Sequence, residues 1–87
     1  MNIQDIKRLA KEGKSPYFFS PDTMRFFSSK VYKHIKEVSE GFLFITSERY
    51  GELPRHYQLR LISLDGSIES LLRVNSLELA KQYLRAY

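Results

Sequence analysis

The stretch KVYKHIKEVSEGFLFIT, residues 30–46, sets two apolar-bearing runs on either side of a turn. In the first, Lys30 to Val38, the β-branched and aromatic residues Val31, Tyr32, Ile35 and Val38 are interleaved with charges, which suits a half-buried strand. Glu40-Gly41 supplies the turn, and Phe42-Leu43-Phe44-Ile45-Thr46 follows. Successive side chains of a strand point to opposite faces, so an unbroken apolar run needs cover on both. The expectation is a hairpin whose second strand lies inside a sheet, with helices on one face and further apolar material, the aromatic segment at residues 17–27, on the other.

Working toward the C-terminus, Tyr50 to Pro54, with Gly51, reads as a connecting loop. Tyr57, Leu59 and Leu61 then alternate with Gln58, Arg60 and Ile62, and Asp65-Gly66 is a strong two-residue hairpin signal. A fourth strand is expected from Ser67 to Val74. Asn75 or Ser76 caps a final helix, with Glu78 placed as a capping-box partner to Asn75 and Leu77, Ala80, Leu84 and Tyr87 as its apolar stripe.

Working toward the N-terminus, Ser20-Pro21-Asp22 is a helix start, with Ser20 as N-cap and Pro21 in the first helical position, and a short helix runs to Phe27. Before it, Pro16 to Phe19 reads as an extended stretch with alternating faces. Together, Tyr17, Phe18, Phe19, Phe26 and Phe27 hold five of the twelve aromatic residues. They read as either a core plug or a contact surface, chiefly the plug, with Arg25 the part that faces a partner. Ile3, Ile6, Leu9 and Ala10 recur at helical spacing, with Asp5 in the first turn, Lys11 near the end and Gly13 as the stop, so residues 3–12 form an amphipathic helix. The expected architecture is a single α+β domain, residues 1–87, in the order α-α-β-β-β-β-α: a four-stranded antiparallel meander with its helices in a two-layer sandwich.

Composition narrows the function. The 87 residues contain no cysteine, which excludes disulfides, thiolate-bound zinc and a cysteine nucleophile and fits a reducing compartment. No leader-like N-terminus or membrane-length apolar run is present, so the expectation is a cytoplasmic protein that does not engage membrane. Fourteen Lys and Arg against ten Asp and Glu give a net charge of +4, spread along the chain rather than gathered in one stripe.

The two histidines, His34 and His56, fall in strands without further ligands at metal-binding spacing and read as surface histidines. The four glycines sit at turns and caps, and neither a Gly-x-Ser-x-Gly elbow nor a phosphate loop is present. The expectation is a protein with no catalytic residues, metal or cofactor, which leaves surfaces. Arg25 lies in the aromatic cluster, and Lys30, Arg49, Arg55 and Arg60 lie in or beside the sheet. With Tyr32 and Tyr57 on an exposed sheet face, cations and aromatics would combine as they do to hold phosphates and stack bases. The Arg49-to-Arg55 loop, with Tyr50 and Leu53, is a second candidate surface. The site residues so identified are Arg25, Lys30, Arg49, Arg55, Tyr57 and Arg60.

The runs Pro16-Tyr17-Phe18-Phe19, Asp22-Thr23-Met24-Arg25-Phe26-Phe27-Ser28-Ser29, Phe44-Ile45-Thr46-Ser47-Glu48 and Arg55-His56-Tyr57-Gln58-Leu59-Arg60 resemble a group of small uncharacterised phage and prophage proteins. The resemblance spans residues 16 to 60. It implies a phage or prophage setting, hence the host cytoplasm, and supplies no catalytic residues. Three roles fit a small basic protein in that setting. The first is binding nucleic acid or a nucleoprotein. The second is direct inhibition of a host enzyme or defence complex, in the manner of an anti-CRISPR protein. The third is service as an assembly subunit. Charge places nucleic acid first.

Overall fold

A computed structural model describes residues 1–87. The elements are α1 (Ile3–Glu12), α2 (Pro21–Phe26), β1 (Lys30–Val38), β2 (Gly41–Glu48), β3 (His56–Ser63), β4 (Ile68–Val74) and α3 (Leu77–Ala86). They form the expected α+β arrangement, with the strands in the order β1-β2-β3-β4, antiparallel throughout.

Local chemistry explains each helix boundary. Asn2 accepts from the Asp5 amide while the Asp5 carboxylate accepts from the Asn2 amide, a reciprocal capping box that starts α1. Ser20 caps α2 by accepting from the Thr23 amide, and Pro21 holds the first turn. Ser76 is the cap of α3, accepting from the Leu79 amide, so the capping-box pairing of Asn75 with Glu78 does not form.

Strand alternation divides the core. Leu43 and Ile45 of β2 and Leu59 and Leu61 of β3 point to one face, where Ala80 and Leu84 of α3 close over them. Phe44 and Ile62 point to the other, against Ile6 and Ala10 of α1, with Phe18, Phe19, Val31 and Ile35 around them. The helices thus lie on opposite faces, and the expected two layers become helix, sheet and helix. The aromatic segment sits on the α1 face, as the two-sided apolar run of β2 requires.

Two placements differ from the sequence reading. Residues 16–19 form consecutive turns, with the Phe18 amide donating to the Ser15 carbonyl and the Ser20 amide to the Tyr17 carbonyl. The turns bring both Phe18 and Phe19 onto Phe44, at ring-centroid distances of 6.5 and 6.1 Å, and leave Tyr17 exposed. Tyr32 and Tyr57 do not lie on a bare sheet face. They pack beside the α3 core with their rings 6.1 Å apart, and the Tyr32 hydroxyl shares a hydrogen bond with Ser47.

A buried polar network beneath an aromatic cover

On the α1 face, the side chains turn polar toward one end of β2 and β3. After Phe44, the inward positions of β2 are Thr46 and Glu48, and beside Ile62, those of β3 are Arg60, Gln58 and His56. Thr46, Glu48, His56 and Gln58 are all buried. The Arg60 Nη2 donates to Glu48 Oε1 at 2.9 Å and its Nε to Thr46 Oγ1 at 2.8 Å. The Thr46 hydroxyl in turn donates to Glu48 Oε1 at 2.8 Å.

The second oxygen of Glu48 faces Gln58 Nε2 at 3.4 Å and His56 Nε2 at 3.7 Å. Gln58 Nε2 also lies 3.2 Å from His56 Nε2, and Ser70 donates to the Gln58 carbonyl oxygen. His56 Nε2 thus faces both an amide donor and a carboxylate acceptor, and the imidazole tautomer sets which of the two it engages. Burial pushes the His56 pKa below its ordinary value of 6.5, and the charge of Arg73, then of Arg60 and Arg55, works the same way against an opposing pull from Glu48.

The cover over this network is aromatic. The Arg60 guanidinium stands over Phe18, 5.0 Å from the ring centroid. Phe26 meets Phe27 at 4.8 Å, Phe27 meets Tyr50 at 5.4 Å, and Tyr50 meets His56 at 4.7 Å, each edge to face. This ladder runs from the surface to the buried network, and the Arg49 amide ties it together by donating to the Phe27 carbonyl at 2.9 Å. Its outer rung, Phe26, is 79% exposed, and Tyr50 and Leu53 of the β2–β3 loop, joined by a hydrogen bond from the Leu53 amide to the Tyr50 carbonyl, are exposed as well.

The six residues singled out from sequence fall into separate places. Arg25 and Arg49 are exposed at the outer end of the ladder, and Arg25 pairs with Asp22 at 3.2 Å. Lys30 is exposed at the start of β1. Arg55 is half-buried on the α3 side, donating to Ser47 at 2.9 Å, and Tyr57 packs against the α3 core. Arg60 belongs to the buried network on the opposite face. Lys30 and Tyr57 both pair with Ser47 and so share the α3 side of the sheet with Arg55, while Arg60 lies on the other side.

His56 is 7% exposed, which corrects its reading as a surface histidine. Sequence reasoning also passed over Thr46, Glu48 and Gln58. Polar residues alternating with apolar ones look like a solvent face. What betrays this set is a Glu and an Arg at inward positions of two interior strands.

No group of three or more His, Cys, Asp or Glu is gathered at metal-binding distance, and no helix is long and apolar enough to cross a membrane. The fold and site define a small helix–sheet–helix protein with a buried ion network under an exposed aromatic end. Over residues 2–83 the chain matches, and belongs to, a family of unknown function, DUF7447. No curated protein and no solved structure matches it.

Proposed function

We propose that this protein is a non-catalytic binding module that engages a protein partner through the end formed by Arg25, Phe26, Arg49, Tyr50 and Leu53. The observation that carries this reading is Phe26. Its ring is left 79% in water although it stands on a ladder of packed rings, so the exposure is built on a rigid base. Aromatic and arginine side chains on such a base are the types that dominate binding energy at protein interfaces. The resemblance to phage and prophage proteins supports a small inhibitor of a host enzyme or defence complex, working in the host cytoplasm. The carboxylate and imidazole of the buried network are engaged with their neighbours, which supports a structural rather than catalytic part for them.

Nucleic acid or a nucleoprotein is the second reading. Its support is the net charge of +4 and the cations Lys7, Arg8, Lys11 and Lys14 in and just after α1. It loses the tyrosine platform that favoured it, since both sheet faces are covered. An assembly role is less favoured because both edge strands, β1 and β4, have irregular registers, and such irregularities blunt edge-to-edge pairing.

Capture from a nuclease-treated host lysate separates the readings. A stoichiometric partner held by the wild type and lost by Phe26→Ser is the expected result. Oligonucleotide binding that weakens by orders of magnitude between about 50 and 200 mM salt, with no protein retained, would overturn it in favour of nucleic acid.

A further inference from the structure

A cavity of about 230 Å³ opens between the aromatic cover and the buried network, lined by Phe18, Met24, Phe27 and Tyr50 with Thr46, Glu48 and Arg60 on the sheet side. We propose that it is a binding site for a single aromatic ring carrying a carboxylate or carbonyl oxygen. This deepens the reading of the adjacent contact end, where the ring would be the partner's anchor residue. The same chemistry is also offered by a free aromatic acid.

Three observations lead there. The first is size: an apolar cavity of about 150 Å³ already accepts benzene, whereas sites for drug-sized ligands start at about 300 Å³. The space therefore fits one ring and a small substituent. The second is the wall. Phe18, Phe27 and Tyr50 offer ring faces and edges, and Met24 a thioether that adapts to an aromatic guest.

The third is the polarity of the sheet side. Both Glu48 oxygens already accept hydrogen bonds, Oε1 from Thr46 and Arg60 and Oε2 from Gln58. Arg60 carries five N–H donors. Its Nε and Nη2 each make one bond within the protein, which leaves three donors free on a side chain only 13% exposed. With the Glu48 oxygens engaged and Arg60 donors left over, the pocket calls for an acceptor on the guest.

An NMR titration of the intact protein tests this without any partner, so its failure is distinct from failure of the capture experiment. The probes are N-acetylphenylalanine and phenethylammonium, which share the ring and differ in whether they bring an acceptor or a donor. The acid is expected to saturate at about 1 to 10 mM, shifting the resonances of Thr46, Arg60, Phe27 and Tyr50, with phenethylammonium at least tenfold weaker. Met24→Trp, which fills the cavity from its wall, should abolish the shifts while the melting temperature is retained. Equal binding of the two probes, shifts centred elsewhere, or no shift up to about 20 mM would overturn the proposal. Competition with the captured partner distinguishes the sources: displacement by the acid assigns the site to the partner's anchor residue, and saturable binding without displacement assigns it to a free aromatic acid.

Discussion

Arg60 and Glu48 place opposite charges beneath Phe18, Phe27 and Tyr50, where neither can be left alone. Removing one partner of a buried pair strands the other and costs about 3 to 5 kcal/mol, far more than the roughly 0 to 1 kcal/mol of an exposed pair. Arg60→Ala is therefore expected to destabilise the fold by about 3 to 5 kcal/mol in chemical denaturation. A loss below about 1 kcal/mol would mean that solvent screens the pair. Arg60 was legible in the sequence as a cation of interest and illegible as a buried one, because the cover that buries it comes from residues 18–29, outside the strand pattern.

His56 gives the same network a pH dependence. Its folded-state pKa lies below 6.5, so between those two values the unfolded chain binds more protons than the folded one. Stability is then complete above about 6.5 and falls as the pH drops through that window. Melting temperatures measured across pH 4 to 8, roughly the range in which histidine titrates, should show this fall for the wild type, and His56→Gln should remove it. An identical profile for both proteins would separate His56 from the acid limb.

At the scale of elements, most boundaries follow from residue chemistry. The Ser20-Pro21 start and the Asp65-Gly66 turn were readable because each depends on two or three adjacent residues. Gly66 takes a φ of +85° there and approaches α1 so closely that a Cβ would stand 2.6 Å from the Leu9 carbonyl oxygen. The Lys14 amide donates to the Asp65 carbonyl across this junction, and hydrogen bonds from Ser67 and Lys14 lower the Asp65 carboxyl to about 2. What adjacent residues did not disclose is that α1 docks on this turn.

The end of α2 holds the one strained residue of the contact end. Ser28 adopts a φ of +48°, and the Ser28 and Ser29 amides donate back to the Arg25 and Met24 carbonyls. This is a Schellman closure with serine where glycine is usual. Relieving the left-handed conformation, Ser28→Gly is expected to stabilise the protein by about 0.5 to 1 kcal/mol. An unchanged or lower thermal midpoint would show that the serine is not strained. The closure also fixes the direction in which Phe26 leaves the helix.

Over the whole molecule, α3 covers one sheet face, and α1 with the aromatic segment covers the other. The α+β order was legible because four strands and two amphipathic stripes are periodic features. The distribution of the helices was not, since a stripe records that a face is buried and not which side of the sheet buries it. The unbroken run Phe42 to Ile45 was the one local sign that both sides are used. With both faces occupied, Phe26, Tyr50, Leu53, Arg25 and Arg49 at the outer end are surface that the fold itself does not consume.

The claim that these residues serve binding rather than folding is tested most directly on Phe26→Ser, by measuring its melting temperature and its affinity for the captured partner side by side. The melting temperature should stay within about 2 °C of wild type, because so exposed a ring contributes little to the core. The affinity should fall at least about tenfold, as truncating an interface anchor does. A melting temperature lowered by several degrees with affinity unchanged would contradict the account and assign Phe26 to the fold.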